Sequence, residues 1–483
     1  MVALSFLIWL PLMFGACAWF SEKKFSGSGN WITLISLFGL LIFSIYLGSS
    51  GTTSLNWEWF ARFNINFALL FDSLSLLLVT LTIALAMLAV MVSWNDIQQH
   101  RGFFHFNLMF SVAGIVGVFL AADLFLFFLF WEVMLLPMTA LILIWGHENR
   151  RYAALKFFIF TQVSSLLMLV AIIALALQHQ SQTGELSFNL GELQQLVIPD
   201  NMQFWLMLGF FVAFAVKLPM VPFHSWLPDA HTQAPTAGSV LLAGILLKTG
   251  AYGLIRIVLP LFPSATMEFA PVAVTLGVIS IIYGAVMAYS QTDFKRLVAY
   301  SSISHMGFVL LALFSWHEVA LQGAILTIVA HGISSAALFS MAGMIQHRIH
   351  SRELGKMGGM WASAPKMATV TLIFVMAGIG MPGMANFNGE LLTLLGSYQQ
   401  FPVQTIVASL GIIGSAVYGL HLFQRAFQGP ANVNVTDLHM RELVFTSLLV
   451  AALIYFGLQP HIVLELSSET IGSLMQIAGE VRP

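Results

Sequence analysis

Apolar residues run along this chain in long blocks, with polar residues gathered in the stretches between them. Blocks of ~20 residues match the length of a helix that crosses a bilayer. They recur at approximately 2–20, 31–49, 67–93, 103–121, 123–146, 152–178, 204–222, 236–259, 268–290, 294–315, 319–346, 367–399, 404–424 and 442–459. The pattern predicts an all-α polytopic membrane protein with about 14 transmembrane helices. The mixed tail from Pro460 to Pro483 reads as an interfacial helix. The longest polar connection, about Gln178 to Gln203, has no Lys or Arg.

Polar positions inside the blocks are the exceptions. From Ala213 to Leu254 two lysines, Lys217 and Lys248, sit in apolar sequence on either side of a proline-punctuated break, Pro219 to Pro235. The block at 367–399 is broken around Pro382 and carries Glu390. Spans four to eight and nine to thirteen each number five. An odd number makes the second unit enter the membrane from the opposite side, so the pattern predicts two inverted five-helix repeats, at 103–259 and 268–424. They are flanked by N-terminal helices over 1–102 and a last helix and tail over 425–483. In each repeat the fourth span is discontinuous and holds one internal charge; matched interruptions of this kind point to a transport site.

Composition fits this reading. Hydrophobic residues make up 58% of 483 positions and charged residues 8%, too few to cover a soluble surface. The 41 Phe and 12 Trp suit lipid-facing and interfacial positions. A net charge of −2 argues against a nucleic-acid partner. The single cysteine, Cys17, permits no internal disulfide, and without CxxC pairs or Cys/His clusters no metal or iron–sulfur site is expected. Neither a dinucleotide fingerprint nor a Walker loop is present. The first apolar segment lacks a basic leader and a cleavage site, so it reads as a membrane helix.

The basic residues give an orientation. Of the 19 Lys and Arg, one set of loops and helix ends holds Lys23, Lys24, Arg101, Arg150, Arg151, Lys156, Lys295, Arg296, Arg348, Arg352, Lys356, Lys366, Arg425 and Arg441, and the opposite loops only Arg62 and Arg482. The positive-inside rule places the first set in the cytoplasm and both termini outside.

The remaining charges suggest chemistry. Glu132 lies near the middle of the fifth span, where insertion scales charge ~2.5–3.5 kcal/mol for an ionised side chain. Burial and a nearby ammonium act on a carboxyl's proton affinity in opposite senses, and Lys217 is the candidate ammonium. At about 6 Å such a pair would interact by roughly 3 kcal/mol, enough for opening and closing it to load and release a proton. Lys248 is followed by His305 and His331 in later spans, and histidine suits a relay near neutral pH. Glu390 beside its broken helix fits a terminal proton donor. The competing account of each is structural: a permanently protonated carboxyl, a snorkelling lysine, a packed histidine. His224, Asp229 and His231, in the first break, read as structural or gating.

The segments HSWLPDAHTQAPTAGSVLLAGILLKTGAYG (His224 to Gly253) and DFKRLVAYSSISHMG (Asp293 to Gly307), with the stretch around Glu132, resemble the antiporter-like membrane subunits of respiratory complex I. The similarity extends over nearly the whole chain. Glu390 resembles the M type, since L and N types typically carry lysine in that broken helix. The resemblance implies a fourteen-helix core in a bacterial inner membrane, with Glu132, Lys217, Lys248 and Glu390 as principal proton-translocation residues and His305 and His331 connecting them. It implies no cofactor in this chain, with FMN, iron–sulfur clusters and NADH in partner subunits. Partners would be other membrane-arm subunits, especially L and N types, with quinone reached through the complex. The module also occurs in multisubunit sodium/proton antiporters, which gives a second reading. A structural spacer that conducts nothing is a third.

Overall fold

The structure, a computed structural model, describes residues 2–431 and 433–481. Arg482, counted above among the outer basic residues, lies outside them.

The chain begins with two apolar helices, α1 (Phe6–Glu22) and α2 (Ser28–Gly48). An antiparallel hairpin follows, β1 (Thr53–Phe60) with β2 (Ile65–Phe71), turning at Asn64 in the left-handed region with φ 50°. The chain is otherwise helical, as the pattern predicts, but the hairpin displaces the start of the span drawn from residue 67 to Ser73. Asp72 stops the strand and starts the next helix, its side chain accepting from the Ser75 amide at 2.9 Å. Then come α3 (Ser73–Val92), α4 (Arg101–Leu120), α5 (Leu124–Trp145) and α6 (Arg150–Thr183).

The first break is α7 (Asp200–Lys217) and α8 (Trp226–Gln233). The expected span to residue 222 ends instead at Lys217, because Pro219 has no amide to continue the ladder. Next is α9 (Thr236–Leu261), which contains wide π turns at Leu242–Leu246 and Leu254–Val258. Lys248 lies between those turns. The chain continues through α10 (Pro263–Tyr289), α11 (Phe294–Phe314) and α12 (Glu318–Ile349). The second break separates α13 (Pro365–Gly378) from α14 (Ala385–Tyr398). Gly380 (φ 73°) and Gly383 (φ 89°) supply backbone angles there that a side chain would oppose. The fold ends with α15 (Pro402–Phe427), α16 (Met440–Leu458) and α17 (His461–Val481).

Among the described residues, twelve helices are long and apolar enough to cross a membrane. The two broken pairs are shorter, as the proline and glycine positions dictate. Helices α9, α11 and α12 are almost wholly buried and form the centre of the molecule. Helices α2, α6, α15 and α16 present large apolar side chains outward, among them Ile35, Val170, Ile413 and Leu448. Such faces suit lipid or a neighbouring subunit.

The loops divide between two ends. At one, Lys156 pairs with Asp229 at 2.7 Å, Arg348 with Glu442 at 2.6 Å and Arg352 with Asp293 at 3.1 Å. At the other, Arg256 near the end of α9 pairs with Asp72, and the Tyr252 hydroxyl donates to the Phe119 carbonyl at 2.9 Å.

Candidate functional site

Helix α9 places Lys248 in the centre, fully buried. Its Nζ donates to the Ala243 carbonyl at 2.5 Å and lies 2.7 Å from His331 Nδ1 on α12. Ala243 lies inside the first π turn, where the widened ladder changes which carbonyls the helix itself uses. The helix break is thus part of how Lys248 is held.

From His331 the contacts continue. The His331 and His305 rings stand 5.4 Å apart, centroid to centroid. His305 Nδ1 is 2.8 Å from Glu390 Oε1, and its Nε2 lies 3.2 Å from the Tyr418 hydroxyl. Glu390 sits in the second turn of α14, just past the break. Gly380 lies so close to it that a β-carbon there would stand 3.1 Å from Glu390 Oε2. Positive φ and close approach together require glycine at that position. A small cavity, about 20 Å³ of water-sized space, is bounded by His305, His331, Ser301, Ser334, Ser335 and Tyr418. That is enough for a water molecule with several polar partners.

Lys217 is also buried, but it is held differently. It has no hydrogen-bond partner and no ion pair among the described residues. Its Nζ lies over the Trp131 ring at 5.2 Å and the Phe157 ring at 5.5 Å. Glu132, next to Trp131, is near enough for its charge to act at Lys217, yet no salt bridge forms within 4.0 Å. The Glu132 Oε1 atom is buried without a partner, while the residue as a whole is only half-buried.

The structure therefore brings Lys248, His331, His305 and Glu390 into one line and keeps Glu132 and Lys217 as a separate, unbonded pair. The two groups meet through backbone, since Gly250 on α9 abuts the end of α7 and a β-carbon there would stand 3.2 Å from Lys217 Cβ. In the first break His231 is buried and stacked on Phe339 at 4.5 Å, and His224 meets Tyr283 edge-on at 4.9 Å. Asp229 is committed to Lys156.

Four residues escaped the sequence reading. Trp131 and Phe157 look like ordinary apolar span residues, and nothing local marks them as the seat of an ammonium. Tyr418 is one of only 9 tyrosines, and its position well inside a span was an available signal. Lys295 counted as a loop cation, but it is fully buried.

A family model described as "NADH:quinone oxidoreductase/Mrp antiporter, TM" matches residues 121–415, which include every residue of this site except Tyr418. NADH-quinone oxidoreductase subunit M of Pseudomonas aeruginosa is 46% identical over 99% of this chain and 98% of its own length. The subunit M of Escherichia coli K12 is 47% identical over 98% and 97%. The chain belongs to the NADH-quinone oxidoreductase subunit M family. Its fold agrees with that of a chain in respiratory complex I from Thermus thermophilus with bound NADH, with a TM-score of 0.91 at 29% identity over 98% of this chain and 99% of that one. A chain of the Mrp complex from Dietzia shares the fold alone, with a TM-score of 0.86 at 19% identity over 99% of both chains.

Proposed function

We propose that the chain is a proton-translocating membrane subunit of a bacterial NADH:quinone oxidoreductase, with NADH, FMN, iron–sulfur and quinone chemistry in partner subunits. The observation that carries this reading is the line Lys248–His331–His305–Glu390, in which titratable groups from four helices touch in succession inside an apolar bundle. Leaving such groups in a membrane is expensive, and a protein with no use for them would replace them. Carrying one charge against ~150 mV takes about 3.5 kcal/mol, the scale on which a buried pair can be biased.

In this mechanism the Glu132–Lys217 pair is the switch. A signal from the redox arm alters the distance between them, and Lys217 changes its hold on a proton. The proton passes to Lys248, then through His331 and His305 to Glu390 and out. The Trp131 and Phe157 faces stabilise the ammonium form of Lys217 when Glu132 is distant, which makes a two-state pair workable. The half-buried position of Glu132, beside Leu136 at 57% exposure, favours a neighbouring subunit over lipid as its cover. Within this reading the neighbours are L- and N-type subunits. Fourteen spans, with the broken pairs counted as crossings, form two inverted five-helix repeats and place both termini outside.

The test is NADH-driven proton uptake in inverted membrane vesicles carrying Glu132→Ala or Lys217→Ala complex. Loss of uptake in assembled complex supports the mechanism; wild-type uptake in both would overturn it. A sodium/proton antiporter is the second reading, favoured by the shared fold with the Mrp complex. Sodium-dependent pH changes without NADH oxidation would select it.

A further inference from the structure

At the basic end of the molecule, three cavities adjoin. One, of about 370 Å³, includes Asp96, His347 and His439 in its wall. A second, of about 300 Å³, shares Asp96 and His347 and adds His147, Pro235 and Thr236. The third, of about 420 Å³, shares His147 and His350 with the second and adds Gln233 and Asp293. Shared walls make them one polar vestibule, each part roomy enough for many waters.

Lys295 lies beneath the floor of this vestibule. It is completely buried, in the first turn of α11, and its Nζ donates to the Ala234 carbonyl at 3.1 Å. Ala234 sits between Gln233, which faces the third cavity, and Pro235, which faces the second. Two carboxylates act on Lys295 and each faces another partner: Asp293 binds Arg352 at 3.1 Å and caps the Arg296 amide at 3.0 Å, and Asp96 lies 3.9 Å from His347. Among the described residues Lys295 has no ion pair. A buried ammonium with a single neutral acceptor is costly to keep for structure alone.

His231 sits on the inner side of Lys295. It is fully buried, both its ring nitrogens lack hydrogen-bond partners, and its ring stacks on Phe339 of α12. The charges of Lys295 and Lys248 both act on it. Phe339 is eight residues from His331 along α12, so about 12 Å separates the two levels. Ser335, on the same helix between them, is buried and bonds the His331 carbonyl.

We propose that Lys295 is the residue that loads protons from the vestibule and passes them through His231 to the Lys248–His331 pair. This rests on the proton-translocating reading and gives it an intake that joins the line at its centre, separate from the Glu132–Lys217 switch. A proton from vestibule water adds to the neutral Lys295 amine, forming the ammonium. The ammonium then gives a proton to one nitrogen of His231, whose other nitrogen releases its own proton inward, and the ring resets by exchanging tautomers. Two unpartnered nitrogens on a buried imidazole are what such a step requires. Asp96, His147, His347, Arg352 and Asp293 surround the loading point and set the local field.

Arginine separates this role from a structural one, because it can donate to the Ala234 carbonyl but does not release its proton. In vesicles holding the whole complex, Lys295→Arg and Lys295→Met should both lower protons taken up per NADH by severalfold, with quinone reduction measured alongside. Lys295→His, which can exchange protons, should recover part of the loss. Normal uptake in K295R would show a fixed cation and overturn the proposal. If K295R does not assemble, His231→Phe decides: reduced uptake supports the route and normal uptake overturns it. Lys248→Met in the same vesicles keeps the two readings apart. Normal uptake there removes the relay itself, whereas a defective K248M beside a normal K295R removes only this intake.

Discussion

His305 Nδ1 stands 2.8 Å from Glu390 Oε1 while its Nε2 faces the Tyr418 hydroxyl at 3.2 Å. The two contacts constrain each other. If the tyrosine O–H donates to Nε2, the ring proton is on Nδ1 and donates to the carboxylate. If Glu390 is protonated, it can donate to Nδ1 and the ring proton moves to Nε2, which turns away the tyrosine's proton. One proton's position thus sets both hydrogen bonds. Glu390→Gln keeps the shape but cannot exchange a proton. We expect proton uptake to fall by roughly a hundredfold or more, the usual scale for losing a proton-transfer partner, with complex assembly unchanged. Proton uptake and native-gel assembly of the variant measure both.

Tyr418→Phe removes the contact that selects the His305 tautomer and leaves the line itself in place. A neutral hydrogen bond is worth about 0.5–1.5 kcal/mol, so uptake should drop about two- to tenfold. A deeper loss would mean that Tyr418 carries the proton itself.

Lys248→Met should separate pumping from stability. The variant loses two hydrogen bonds from a charged donor, to Ala243 and His331, worth ~1.5–3 kcal/mol each. It also removes a buried ammonium whose desolvation costs several kcal/mol. The terms offset, so the melting temperature of the purified complex should change by only a few degrees while proton uptake is abolished. A large fall in melting temperature would mark Lys248 as a structural tie between α9 and α12.

Lys217 rests on aromatic faces instead of a carboxylate, and Trp131 is the nearer face. A desolvated cation–π contact contributes ~2 kcal/mol. Trp131→Leu should therefore disfavour the charged lysine and cut uptake by up to about thirtyfold, whereas Trp131→Phe, which keeps an aromatic face, should retain most of it. Equal losses in both variants would point to packing of the indole instead.

The sequence announced some of this arrangement and hid the rest for identifiable reasons. Charges in apolar blocks are rare, so Lys217, Lys248 and Glu390 stood out, and proline and glycine marked both helix breaks. Contacts between helices were not written in the pattern. Glu132 and Lys217 looked like an ion pair, but the aromatic seat of Lys217 depends on Trp131 and Phe157, which resemble any lipid-facing residue. The β-hairpin was missed because Ile65–Phe71 is as apolar as the helix that follows it. Only the Asp72 cap separates them. Lys295 was missed because its neighbours in sequence are charged, while its surroundings in space include the Ala234 carbonyl and the first break.

Asp437 gives a test of fold stability outside the membrane. Its carboxylate accepts from the Met367 amide at 2.9 Å and the Lys366 amide at 3.0 Å, so a loop before α16 caps the start of α13. Burial pushes its pKa up, but the amides of Met367, Leu438 and Lys366 and the Lys366 charge outweigh that and hold it below the ordinary value of 3.8. A depressed carboxyl pKa contributes stability that is present above the unfolded value and lost as pH falls through the folded one. The contribution should be intact above about pH 4 and fade below it. Asp437→Ala should destabilise the α13 end by about 1 kcal/mol, the typical worth of a helix cap. Asp437→Asn keeps the acceptor oxygen and should recover part of this while losing the pH dependence. Thermal melting of wild type and both variants between mildly and strongly acidic pH checks it: parallel curves for wild type and Asp437→Asn would mean the charge contributes nothing.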